Sequence, residues 1–128
     1  MCTEKYVYPF TDFGFKLLFG SAENREFLIS FLNSLLGRDD EIVEITYRNT
    51  EMFGISADDR KAVYDIYCET SSGDHLIVEM QNAYQRYFLD RTIFYSSFPM
   101  QEAAKKGDWD YRLPSIYTVS FTNFAMPD

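Results

Sequence analysis

Residues 61–81, KAVYDIYCETSSGDHLIVEMQ, decide the fold. Two apolar-rich stretches, 61–69 and 75–81, flank Thr70-Ser71-Ser72-Gly73-Asp74, whose residue types favour a turn. With those five residues as the loop, Glu69 faces His75, and counting back along both strands sets Asp65 opposite Glu79. Strand period two puts Ile66 and Cys68 with Leu76, Val78 and Met80 on one face. The other face carries Val63, Asp65, Tyr67, Ile77, Glu79 and Gln81. Loop parity matters: a two- or four-residue loop would send Asp65 and Glu79 to opposite faces.

Like charges directly across an antiparallel pair are destabilising unless something offsets them. A divalent cation is the leading candidate, because hard ions such as Mg²⁺ take carboxylate oxygens. The other reading is the solvated acidic face of an ordinary hairpin. The mixed character of that face weighs against full solvation. Covered carboxylates without a counter-charge have raised pKa values and mark candidate sites.

A chain of 128 residues suits one domain with its own core, spanning 1–128. The formal net charge of −8 argues against a generally basic nucleic-acid surface, so any contact with phosphate must be local. Cys2 and Cys68 lie far apart and form neither a disulfide framework nor a zinc spacing, which suits a reducing compartment. His75 reads as an ordinary surface residue beside the turn. No stretch approaches the roughly 20 apolar residues of a membrane span. The opening MCTEKYVYPF lacks the basic and apolar regions of a secretory signal, so a cytoplasmic location is expected.

Thr11 is placed to cap a short helix over 12–19 that stops at Gly20. Ser21 then reads as the N-cap of a longer helix, with Phe27, Leu28, Phe31, Leu32, Leu35 and Leu36 at helical spacing and Gly37 as its stop. Residues 42–49 alternate like a strand. Residues 84–106 read as a helix that Pro99 should kink or divide, closed by Gly107. Residues 115–121, SIYTVSF, make a further strand. A strand, helix and strand in succession suggest a crossover. The class is α/β with one main sheet.

That order, with Asp on one hairpin strand and Glu-x-Gln on the next, resembles the PD-(D/E)XK nuclease superfamily. FTDFGFKLLFG (10–20), FLNSLLG (31–37), DDRKAVYDIYC (58–68), VEMQ (78–81) and the later Arg91, Tyr95 and Gly107 narrow the resemblance. They are similar to the PD-(D/E)XK transposase-like family, also called recombination-promoting nucleases, from about residue 8 to residue 124. The resemblance implies a restriction-endonuclease-like αβββαβ core, one mixed sheet flanked by helices. It also implies a chain truncated relative to full-length members.

Carried over, Asp65 and Glu79 match the metal-binding acids, with the Met80 carbonyl as a further ligand for Mg²⁺ or Mn²⁺. Gln81 takes the position where the wider superfamily has lysine, so an amide replaces a cation. Arg91 and Tyr95, four apart on one helix face, are candidates to supply the charge; the plainer reading is a surface arginine packed beside a tyrosine. Lys61 would sooner touch DNA backbone than metal. Asp12, Lys16 and Glu26 could reach the site from the first helices. The activity implied is metal-dependent DNA endonuclease chemistry of a transposase or recombination-promoting type. DNA is the implied partner, with no membrane, with a homo-oligomer allowed, and with DNA-binding surface in a missing C-terminal region. The rival is a catalytically inactive nuclease-fold module that serves assembly.

Overall fold

The computed structural model describes residues 11–52, 62–104 and 109–125. Helix α1 spans Asp12–Phe19, and the Thr11 hydroxyl caps it by accepting from the Gly14 amide at 2.9 Å. Gly20 closes it with its main-chain N–H donating a hydrogen bond to the Lys16 carbonyl. A Cβ at Gly20 would sit 2.9 Å from that same oxygen, so a side chain there would force the turn apart.

The single helix expected from Ser21 is corrected. Ser21 makes no side-chain cap; Ala22–Asn24 form a 3-10 turn, and α2 spans Arg25–Leu36. The Asn24 side-chain Nδ2 donates to the Leu17 carbonyl at 2.8 Å, which draws the turn back onto α1. The buried stripe of α2 is narrower than its sequence suggests: Leu28 and Leu32 are buried, whereas Phe27 and Leu35 are exposed. Gly37, at φ 56°, ends the helix in the left-handed conformation.

The strands in chain order are β1 (Ile45–Tyr47), β2 (Glu51–Met52), β3 (Ala62–Val63), β4 (Ile66–Thr70) and β5 (His75–Gln81). Helix α3 (Phe88–Ala104) and β6 (Ile116–Thr122) follow. The main sheet has the order β1-β4-β5-β6, while β2 and β3 pair separately. β4 is antiparallel to β1 and to β5, and β5 is parallel to β6, with α3 as the crossover. This is the mixed, helix-flanked sheet of a restriction-endonuclease-like fold.

Helices α1 and α2 cover one sheet face, where Phe15, Leu28 and Leu32 meet Ile66, Cys68, Leu76, Val78 and Val119. Helix α3 covers the other, where Phe98 and Tyr95 meet Tyr64, Tyr67 and Ile77. The hairpin register pairs Glu69 with His75 and Ile66 with Val78, as the five-residue loop requires.

Four sequence expectations shift. The strand at 42–49 shrinks to β1, because the Asn33 side chain claims both the amide and the carbonyl of Ile42. The helix expected from residue 84 starts at 88, since Tyr87 sits at φ 63° and cannot join it. Pro99 lies inside α3 without dividing it. His75 is buried rather than superficial, its Nδ1 at 2.7 Å from the Tyr67 hydroxyl.

The stretch 61–69 is not one strand. Tyr47 pairs with Cys68 and Glu51 with Val63, so four steps on one side are matched by five on the other. The extra residue is a β-bulge between Val63 and Cys68, which reverses the side-chain alternation there. Val63 therefore points outward at 46% exposed, and Ala62 and Tyr64 turn into the α3-facing cluster. Lys61 and Gly107 lie outside the described residues.

Candidate active site

Asp65 stands within the bulged stretch, immediately before β4. Its Oδ2 accepts the Met80 amide at 2.9 Å, so a side chain takes the place of the next main-chain acceptor along the hairpin. Amide and carbonyl of one strand residue leave on the same edge. The Met80 carbonyl thus emerges toward Asp65, while the next residue alternates: the Gln81 carbonyl accepts the Asn123 amide on the β6 side.

Glu79 is only 4% exposed. Burial pushes its carboxyl up to about 7; the Arg91 charge opposes the rise, and the nearby Asp65 carboxylate adds to it. Asp65 and Glu79 are close enough to repel, and Met80 links their two strands.

Arg91 enters from the first turn of α3. Its guanidinium donates to the Gln85 side-chain oxygen at 3.0 Å and lies over the Tyr95 ring, 4.8 Å from the centroid. Tyr95, one turn on, accepts the Tyr64 hydroxyl on its main-chain carbonyl at 2.5 Å and meets the Tyr64 ring edge-on. Gln81 is the last residue of β5, half-buried and opposite Thr122. Alternation puts it on the Glu79 side of the sheet.

The remaining residues singled out from the sequence do not join this group. Lys16 is exposed on α1, the helix that covers the opposite face. Glu26 is exposed beside Ser30, Glu41 and Val43, in a shallow cleft that includes neither Asp65 nor Glu79. The Asp12 side chain and Lys61 lie outside what is described. Among the described residues no group of three or more His, Cys, Asp or Glu side chains could hold a metal.

Sequence reasoning missed Tyr64, because strict alternation from Ile66 sends it toward α1 and α2. Only the bulge brings it to α3. It also missed a polar cluster at the hairpin end of the same face, where Arg48 bonds Glu69 and Glu102. No spacing rule links 48, 69 and 102.

A family model described as PD-(D/E)XK nuclease family transposase matches residues 9–128. No curated protein and no solved structure gives a significant match. Among the described residues no helix is long and apolar enough to cross a membrane.

Proposed function

Because the chain belongs to the PD-(D/E)XK nuclease family transposases, we propose that it hydrolyses DNA phosphodiester bonds at the Asp65–Glu79 site with a divalent metal, Mg²⁺ or Mn²⁺. One observation carries the reading: a buried carboxyl, Glu79, near a second one, Asp65, whose Oδ2 accepts the amide of Met80, the residue that follows Glu79.

The donor set fits a hard ion. Asp65, Glu79 and the Met80 carbonyl offer oxygen only, and Mg²⁺ characteristically uses one or two carboxylates together with water and substrate phosphate. An ion bound there supplies Lewis acidity and a water acidic enough to be a nucleophile near neutral pH.

The chain's own residues do the rest. Glu79 has to shed its proton, so its raised pKa makes ion binding depend on pH. The Met80 amide holds Asp65 in one orientation. Gln81 accepts or donates a hydrogen bond to the attacking water but brings no charge. Arg91 is the cation that meets negative charge building on the phosphoryl oxygens, and the Tyr95 ring fixes its plane. With the net charge at −8, wider DNA contact calls for basic surface from a second copy or from further chain.

Plasmid cleavage with Mg²⁺ or Mn²⁺ tests the reading. Wild type should nick or linearise the plasmid, and Asp65→Asn and Glu79→Gln should not. Equal cleavage by the variants would move the activity elsewhere. No cleavage and no metal-dependent rise in melting temperature would favour a non-catalytic assembly module.

A further inference from the structure

The bulge gives two adjacent residues two different tasks. Asp65 reaches across the hairpin to the Met80 amide, and Tyr64 reaches up to α3. The acceptor that Tyr64 finds there is not an ordinary helical carbonyl. In an α-helix the carbonyl of residue 95 belongs to the amide of residue 99, and residue 99 is proline. Proline has no amide hydrogen, so the Tyr95 carbonyl is left without its helical donor. The Tyr64 hydroxyl fills that gap at 2.5 Å, within the range of a strong O–H···O bond.

Tyr64 itself has little freedom. It is 2% exposed, its amide bonds the Thr50 carbonyl at 2.8 Å, and its ring meets Tyr67 and Tyr95 edge-on. Tyr95 in turn carries the Arg91 guanidinium on its ring. A continuous chain of contacts thus runs from the residue beside Asp65, through the proline-freed carbonyl, to the arginine beside Glu79.

We propose that Tyr64 and Pro99 form a clamp that fixes the height and rotation of α3 over the carboxylates, making Tyr64 a positioning residue for Arg91. Tyr64 touches neither ion nor phosphate in this scheme. It acts through Tyr95, by holding the turn of α3 that presents Arg91. The kinetic part rests on the nuclease reading above; the clamp itself does not.

Two variants and their combination test it. Tyr64→Phe keeps the ring and removes the hydroxyl, leaving the Tyr95 carbonyl without a donor. Pro99→Ala restores the helical amide at residue 99. The Arg91 guanidinium Nε–H resonance, shifted by the Tyr95 ring and assigned by its loss in Arg91→Lys, reports position without any need for activity.

Tyr64→Phe should lower the melting temperature, move that resonance toward the position of an exposed arginine, and cut kcat about tenfold. KM for DNA should move little, and Mn²⁺ affinity should stay at the wild-type value. In Tyr64→Phe/Pro99→Ala the melting temperature should recover, because the carbonyl again has a donor, while the resonance and kcat stay displaced. Recovery of all three would reduce Tyr64 to carbonyl satisfaction and overturn the positioning role. An unmoved Arg91 resonance in Tyr64→Phe would overturn it as well. If wild type cleaves nothing, the nuclease reading fails, and the resonance arm still decides the clamp.

Discussion

The α3-covered face of the sheet holds acids at both of its ends, and the two ends treat them differently. At the hairpin end Arg48 bonds Glu69 and Glu102 together and lies over the Tyr67 ring, so two carboxylates share a cation. At the other end, among the described residues, Glu79 lies near Asp65 and feels the charge of Arg91, which is already engaged with Gln85 and Tyr95. The first arrangement is what a fold needs to bury charge. The second holds a buried carboxyl, Glu79, whose pKa burial raises despite the Arg91 charge, which stability alone does not favour. A covered carboxyl whose pKa burial raises, with a second acid nearby, is what makes this end the candidate ligand site proposed above.

The sharpest way to break this contrast is to neutralise one acid at each end. Asp65→Asn should reduce metal-dependent cleavage to background and remove Mn²⁺ binding, measured by plasmid assay and by titration followed with electron paramagnetic resonance. Glu69→Gln should leave both unchanged at a temperature where it is folded. Metal-dependent cleavage lost in Glu69→Gln but kept in Asp65→Asn would reverse the assignment of the two ends.

The next effect is on stability and its sign follows from Glu79. Its pKa rises from 4.5 to about 7 on folding, so between those values the folded chain holds a proton that the unfolded chain has released. The contribution of this group is complete below pH 4.5 and is lost as pH rises through 7. Glu79→Gln removes that dependence. In chelator at pH 8 it should therefore be more stable than wild type, by at most about 3 kcal/mol, and equal to it near pH 4. Mg²⁺ should narrow the gap at pH 8 by stabilising wild type alone, and urea midpoints would read each comparison. A wild type that loses no stability between pH 5 and 8 relative to Glu79→Gln would contradict the buried, under-compensated acid.

Arg48→Ala comes third. It leaves Glu69 and Glu102 facing each other without their cation, in a pair whose side chains keep about a third of their exposure. Partial solvation brings the loss below that of a fully buried pair, to about 2 kcal/mol. Urea denaturation would measure it, and metal affinity at the other end should not change.

The contrast also explains what could be read from the sequence. Loop parity fixed the hairpin register, because Thr70 to Asp74 is a turn by residue type and period two does the rest. The two helical stops at Gly20 and Gly37 were equally legible, being local. Legibility failed where distant side chains take over main-chain groups. Asn33 removes Ile42 from β1, and the bulge reverses Tyr64. Arg48, Glu69 and Glu102 converge from three elements with no common spacing. In the candidate site the place of Glu79 on β5 followed from the hairpin register, whereas Asp65 and Tyr64 lie in the irregular stretch before β4, behind an extra residue that no glycine or proline announces.

The smallest effect belongs to Tyr67, which connects the compensated end to the middle of the face. Its hydroxyl lies 2.7 Å from His75 Nδ1, both residues are buried, and burial raises the phenol above its usual range. Tyr67→Phe keeps the ring under Arg48 and edge-on to Tyr64, so only the hydrogen bond is removed. A neutral bond of this kind contributes about 1 kcal/mol. The chain should therefore lose about that much by urea denaturation. Because neither Asp65 nor Glu79 touches this bond, cleavage rate and Mn²⁺ affinity should match wild type. A fall in metal affinity on removing the Tyr67 hydroxyl would mean that the two ends are coupled through Tyr64, and that the Arg48 cluster helps to set the geometry of the carboxylate pair.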